Sequence, residues 1–316
     1  MRLNLVTCMI IVLSMVLCPL VAGSGEVEHT EPVTVTDIDV QPEKTVSVML
    51  SQSGAVNEIE IREYIIGCVA AEMPSVYHTE ALKAQAVACY TYAKRVRENG
   101  GADGADITDN PDSHQGYIDR KSRQEKWGEN FEECESKIAS AVDSVLGEYM
   151  TFDGETVLAV YHSGSAGKTR SAESLWGDDF PYLISVVSAG DKLNPDYVST
   201  KRFDENEFGE IVGKCGAELT GDADEWVGEI SRDDSGYVTS FTVCGKKIPA
   251  SVFRSAADLR SSHFEIEYDD GFTVTCKGYG HGVGMSQYGA DYMARQGFDY
   301  KEILSHYYTD VEFNKE

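Results

Sequence analysis

Glu72 closes an apolar stretch, "IREYIIGCVAAE" (Ile61 to Glu72), and Met73 and Pro74 follow at once. Apolar residues recur there at helical spacing. The residue before a proline avoids the helical region, so a helix over this stretch is predicted to end at Met73. A carboxyl group in its last turn meets the negative end of the helix dipole among poorly solvating neighbours, and both disfavour the charged form. A glutamate kept protonated near neutral pH is equipped to act as a general acid. The same carboxyl at a frayed, solvated helix end would do no chemistry, and position alone leaves both readings open.

The densest signal is "GYGHGVGMSQYGA", Gly278 to Ala290, where glycine alternates at 278, 280, 282 and 284 around His281. So many glycines are needed only where backbone approaches something closely. A helix is expected to open near Met285 to Ser286, with free N–H groups able to bind a ligand oxygen. No strand–helix–strand unit with a later acid surrounds the motif, so it is not a dinucleotide fingerprint. "YHSGSAGKTRSAESLWG", Tyr161 to Gly177, leaves a predicted strand into a loop of clustered donors and acceptors, His162, Ser163, Ser165, Lys168 and Thr169. These suit hydroxyl-rich ligands such as sugars. A serine nucleophile is not indicated, because there is no G-x-S-x-G elbow. Trp176, Tyr182, Trp127 and Tyr117 are candidate stacking platforms, each of which core or rim packing would explain equally well.

These residues need elements to hold them. Short strands are expected at Val46 to Leu50 and near Ile59. A second helix is expected from Thr79, as its N-cap, to Val96, ended by Asn99-Gly100-Gly101. A Gly/Asp-rich loop spans Gly101 to Pro111, and a helix is expected over Phe131 to Leu146. Strands flanking Asp153-Gly154 read as a hairpin. Trp226 to Lys277 is mostly strand, with turns in "SRDDSGYV" and "EYDDGFTV" and a short helix near Ser251 to Arg260. Helices over Met285 to Arg295 and Tyr300 to Tyr307 close the chain. Helices and strands are segregated, so the fold class is α+β: a helical region over about 60–150 packed with an antiparallel β-rich region over about 225–280, closed by the C-terminal helices.

The chain has 316 residues, 42% of them hydrophobic, and carries 53 acidic against 27 basic side chains for a net charge of −26. There is ample material for a core, and no broad basic face for nucleic acid or anionic lipid. Arg2 precedes an uncharged run from Leu3 to Ala22, and Val21-Ala22-Gly23-Ser24 offers small residues for cleavage. Residues 1–23 therefore read as a cleaved signal or an uncleaved anchor, the only expected membrane contact, with 24–44 as a linker and 45–316 as an extracytoplasmic body. Of the 8 cysteines, Cys68, Cys89, Cys134, Cys215, Cys244 and Cys276 lie in the body without C-x-x-C spacing, and sequence does not choose among their pairings. Cys68 and Cys89 fall on apolar helix faces, where a buried free thiol is expected. A mixed site of Cys134 with His114 is the one metal alternative.

Three segments together carry a resemblance: "EYIIGCVAAEMPSVYHTEALKAQAVACYTYA", the loop "YHSGSAGKTRSAESLWG" with "PYLISVVS", and "GYGHGVGMSQYGA". In type, order and spacing, over about Val46 to Tyr308, the chain resembles the stage II sporulation protein D family and its amidase-enhancer relatives. The resemblance implies a peptidoglycan lytic transglycosylase acting on glycan strands stripped of stem peptides, in sporulation. Glu72, matching the glutamate of the family's A-A-E-M-P motif, would be the catalytic acid and then the base. One carboxylate in successive roles would replace the paired carboxylates of ordinary glycosidases. It implies no cofactor, and an N-acetylmuramoyl-L-alanine amidase as partner; the alternative is a non-catalytic wall-binding enhancer of such an amidase. Lys83, Gln85, His162, Ser163, Lys168, His281 and Gln287 are the expected substrate contacts. Lys83 and Gln85, two apart on one helix, do not share a face. The chain departs from the family at Tyr90, where many members carry arginine, and at Ser165-Ala166-Gly167, where they carry Ser-Gly-Gly. The cysteines that hold zinc in some members are missing before Gln115, so no metal is expected.

Overall fold

A computed structural model describes residues 45–101, 104–110 and 113–316. The leader or anchor expected at 1–23 and the linker at 24–44 lie outside them. Among the described residues no helix is long and apolar enough to cross a membrane.

Strands β1 (Thr45–Leu50) and β2 (Ala55–Glu60) form an antiparallel hairpin, and β3 (Ile107–Thr108) joins β1 in parallel. β2 runs directly into α1 (Ile61–Glu72), which packs on α2 (Thr79–Glu98), α3 (Arg120–Trp127) and α4 (Phe131–Val145). α2 is the central helix; the side chains of Ala81, Leu82, Ala84, Val87, Ala88 and Cys89 are wholly buried along it. His78, not Thr79, caps it: Nδ1 accepts from the Glu80 N–H at 3.3 Å. β4 (Glu148–Phe152) and β5 (Glu155–Thr156) make the expected hairpin, with Asp153 (φ 51°) and Gly154 (φ 81°) both left-handed at its turn.

β6 (Tyr161–His162) and α5 (Ala172–Trp176) follow. Beyond them lies a β-rich region with an apolar centre of its own, built on Phe208, Phe241, Phe253, Phe264 and Phe272. It comprises β7 (Val198–Phe203), α6 (Glu205–Lys214), β8 (Val227–Arg232), β9 (Val238–Val243), β10 (Lys246–Pro249), α7 (Ala250–Ala256), β11 (Phe264–Tyr268) and β12 (Phe272–Lys277). Its sheets, β10-β9-β8 and β11-β12-β7, are antiparallel throughout. The chain then returns to the helical region: β13 (Met285–Ser286) pairs in parallel with β6, α8 (Gln287–Arg295) and α9 (Tyr300–Tyr307) pack on α2, and β14 (Glu312–Lys315) pairs with β4. The architecture is mixed α+β.

Three helices have no counterpart among those read from the sequence: α3, α6 and the short α5, which starts at the Ser171 cap inside the expected loop. α3, "RKSRQEKW", has no apolar stripe. It is held by the Asp119 cap (Ser122 N–H to Oδ1, 2.7 Å) and by Arg123, wholly buried and bonded to Glu135 (2.8 and 2.9 Å) and Glu63 (2.7 Å). α6 starts on a capping box between Asp204 and Glu207 and buries Phe208 and Val212. The expected opening of a helix at Met285 is corrected too: Met285–Ser286 is strand, and α8 begins at Gln287 with Ser286 as its cap.

Candidate active site

Glu72 ends α1 because Met73 is extended (φ −118°, ψ 143°) ahead of Pro74. Its Oε1 accepts the backbone N–H of Gly116 at 2.8 Å. Gly67 on α1 allows this approach: a Cβ there would collide with the Tyr117 ring and lie 2.7 Å from the Ile118 carbonyl. Gly116 is equally constrained, since a Cβ would stand 2.9 Å from Glu72 Oε1. Burial raises the Glu72 pKa, opposed by the Gly116 N–H, by a hydrogen bond from Gln287 and by the Lys126 charge. With Oε1 accepting an N–H, Oε2 is the oxygen left to carry a proton when the carboxyl is neutral.

Glu72 sits where two cavities meet. One, of about 260 Å³, is lined with it by Ser163, Asp191, Arg260, Tyr279 and Gln287, among others. The other, of about 160 Å³, is lined by Tyr92, His114, Gln115, Tyr161 and His281 as well as Glu72. A broader groove of about 680 Å³ along β2 and Ile118 contains neither Glu72 nor any polar residue singled out with it.

Behind Glu72, Gln287 Nε2 reaches Gln85 Oε1 (3.4 Å), and Gln115 bonds the hydroxyls of Tyr64 (2.9 Å) and Tyr161 (3.0 Å). Asp191, almost wholly buried, ties the 163–167 loop to α8. Oδ2 accepts from the Ser165 N–H (2.9 Å) and Oγ (2.5 Å), and Oδ1 from Ser286 Oγ (2.6 Å), which itself caps α8 at the Gly289 N–H. Burial raises its pKa against those bonds.

The glycine motif is a close-approach loop, as its alternation predicts. Gly278, Gly280, Gly282 and Gly284 all have positive φ. A Cβ would lie 2.7 Å from the Gly164 carbonyl at Gly278, 2.7 Å from His162 Cβ at Gly280, and would overlap the Val160 carbonyl at Gly284. His281 bonds back to the fold rather than outward: Nε2 donates to the Tyr161 carbonyl (3.0 Å) and Nδ1 accepts from the Val283 N–H (3.1 Å). His162 donates from Nδ1 to the Val283 carbonyl (3.0 Å), and burial pushes its pKa down to about 4. Burial and the neighbouring His162 lower His281 as well. Both imidazoles stay neutral; His281 is a wall of the smaller cavity and His162 packs behind it. The start of α8 is likewise occupied, the Tyr288 N–H by the Ser163 carbonyl and the Gly289 N–H by its own cap.

Of the expected catalytic and substrate-contact residues, Glu72, Ser163, His281 and Gln287 line the two cavities, and Ser165 of the same loop lines the larger one. Gln85 lies behind them, and His162 lies against His281 with ring centroids 5.6 Å apart. Lys83 and Lys168 line neither cavity: Lys83 pairs with Glu80 (2.8 Å), and Lys168 points toward the Asp234 carbonyl. Tyr90 faces the chain end, its hydroxyl on Glu316 (2.9 Å). Among the candidate platforms, Tyr117 stacks on Tyr64, Trp127 leans on Phe131 and Tyr182 is core. Trp176 remains exposed, 5.9 Å from His281. Gly116, Asp191, Arg260 and Tyr279 are the lining or supporting residues that sequence reasoning did not assign. Gly116 and Asp191 sit in no motif, and their partners are more than twenty residues away in the chain.

All six body cysteines are free thiols. Cys134 and His114 have separate partners, the Ser75 hydroxyl and the Thr108 N–H. Among the described residues no three of His, Cys, Asp and Glu converge as a metal site.

A family model described as stage II sporulation protein matches residues 50–152, the segment that contains α1, Glu72 and Gly116. Stage II sporulation protein D of Bacillus amyloliquefaciens is 37% identical over 86% of this chain and 79% of its own length. This chain belongs to the stage II sporulation protein D family. The family's protein in Bacillus subtilis (strain 168) is 36% identical over the same shares. An amidase enhancer of that organism is 27% identical over 77% of this chain and 39% of its own length. The α1–α2 pair and the Gly116 segment, which position the Glu72 carboxyl, thus fall inside the family's matched segment.

Proposed function

We propose that this member of the family is a lytic transglycosylase, cleaving the bond between N-acetylmuramic acid and N-acetylglucosamine in peptide-stripped peptidoglycan during sporulation. The observation that carries the reading is a single protonatable carboxyl at the meeting point of two cavities. Glu72 is the only carboxylate lining the smaller cavity among the described residues. In the larger one, Asp191 has both oxygens engaged by serine groups, and Asp196 is a solvent-exposed side chain only loosely paired with Arg260, at 3.8 Å. A two-carboxylate glycosidase would need a second free acid facing the same bond.

A strand crossing both cavities passes its scissile oxygen over Glu72. Oε2–H protonates that oxygen as the C1–O bond breaks, giving an oxocarbenium-like muramic C1. The resulting carboxylate takes the proton of the muramic C6 hydroxyl, and O6 bonds to C1. No water is consumed, and Glu72 ends protonated as it began. The Gly116 N–H and Gln287 hold the carboxyl in place through both steps.

The apolar run at 3–22 supports an extracytoplasmic site of action, and an N-acetylmuramoyl-L-alanine amidase is the enzyme that would supply stripped strands. Mass spectrometry of denuded strands incubated with the full chain and with Glu72→Gln tests the reading. Anhydro-muramic ends from the wild type alone bear it out, and reducing ends would replace it with a hydrolase. Intact glycan with faster amidase release would replace it with a non-catalytic enhancer.

A further inference from the structure

We propose that Arg260 reads the free lactyl carboxylate of a muramic acid, the group exposed when a stem peptide is removed. The inference takes the identity of the strand from the reading above, but does not depend on Glu72 being the catalyst.

Arg260 is the only lysine or arginine among the described residues that line either cavity beside Glu72. The acidic side chains on the larger cavity's wall are Glu72, Asp191 and Asp196. In a chain of net charge −26, one cation on such a wall marks where an anion is held. Its present partner is weak: Nη1 is 3.8 Å from Asp196 Oδ1, on a side chain 79% exposed, and 3.4 Å from the Asp196 carbonyl. Exposed pairs of that geometry contribute little and exchange readily. The guanidinium lies 5.4 Å from the centre of the Tyr279 ring, which is itself 51% exposed and lines the same cavity. The Arg260 carbonyl accepts the Gly280 N–H at 2.9 Å, so the backbone that carries the cation is fixed to the glycine loop. The pair therefore offers a sugar-facing aromatic surface with a planar two-pronged donor beside it.

On a strand that still bears its peptide, the lactyl carbonyl is tied up in a neutral amide. Amidase action leaves a carboxylate, whose two oxygens match the guanidinium fork. Arg260 would then exchange Asp196 for the substrate. Preference for stripped strands becomes a reading of charge, and the amide-cleaving reaction must come first.

Binding tests this without relying on cleavage. The full chain carrying Glu72→Gln is offered denuded strands, and the same strands with lactyl carboxyls converted to primary amides by carbodiimide and ammonia. Binding about tenfold tighter to the carboxylate strands is expected. Adding Arg260→Gln should bring both to the weaker level, and Arg260→Lys should fall between, restoring charge without the fork. Equal binding to both strands, or to neither, overturns the proposal. So does a retained preference in Arg260→Gln, or an equal loss on both strands, which would make the side chain only a wall. Unchanged thermal melting of the Arg260 variants shows that folding is not the cause. A wild type that makes no anhydro ends would remove the transglycosylase reading and leave this comparison standing.

Discussion

Glu72 is held by a balance of burial against three stabilising contacts, and burial prevails. The sign of its effect on stability follows from that direction. With its folded pKa raised above the unfolded one, the favourable contribution is full below the ordinary carboxylate range and is lost as pH rises through the folded value. Glu72→Gln, whose amide oxygen can still accept the Gly116 N–H, should therefore gain thermal stability relative to wild type as pH rises from about 4 to 8. Paired melting curves across that range check this; a constant difference would mean that the carboxyl is as well solvated as in the unfolded chain. Cleavage itself should fall on the alkaline limb, where the acid has lost its proton. Gly116→Ala tests position rather than charge. Its Cβ would stand 2.9 Å from Oε1 and push the carboxyl aside, so kcat should drop by about 10–100-fold with the fold intact.

At the scale of elements, the site is a junction of segments that reach Glu72 from different parts of the chain. Asp191 is a positioning residue: it bonds Ser165 on the loop and Ser286 at the cap of α8 in one buried cluster. Asp191→Ala should cost about 2–3 kcal/mol in urea unfolding, because charge-assisted bonds are lost and two serine hydroxyls lose their acceptor. α3 depends on a buried charge instead of an apolar stripe. Arg123→Leu would leave Glu135 buried beside no cation but the half-exposed Arg120. The expected loss is about 3 kcal/mol, read as a lower urea midpoint at unchanged slope. A loss below about 1 kcal/mol would show that α3 is held by packing alone.

Across the whole molecule, acidic side chains outnumber basic ones 53 to 27, so long-range repulsion opposes compaction. Screening should win over the loss of exposed ion pairs such as Arg62–Asp143 and Lys94–Glu98. The melting temperature should accordingly rise as ionic strength increases toward about 0.15 M, where the Debye length is about 8 Å. A fall would mean that the ion pairs outweigh the net charge. At this scale, the β-rich region is held by its own phenylalanine core, with Phe208 stacked on Phe272 at 3.8 Å. It presents Arg260 and the start of the glycine loop to the helical region that carries Glu72.

What was legible in the sequence was local. The end of α1 follows from Pro74 beside its own helix, the β4–β5 turn from Asp153-Gly154, and the tight loop from glycines that tolerate positive φ where other residues would not. Glu72 was a candidate for that reason, its helix, its stop and its poor solvation being written within a dozen residues, while its proposed role as the acid came from the match to the family's A-A-E-M-P motif. α3, α5 and α6 went unread: α3 is stabilised by ion pairs to Glu63 and Glu135, α5 is a single capped turn, and α6 rests on a capping box and on Phe208, whose partner Phe272 lies in a later strand. That Lys83 and Lys168 turn away, that His281 is a neutral wall backed by His162, and that Gly116, Asp191 and Arg260 meet around Glu72 was decided only by the tertiary structure. A side chain's charge state and reach depend on what is packed against it, and here those neighbours come from segments far apart in the chain.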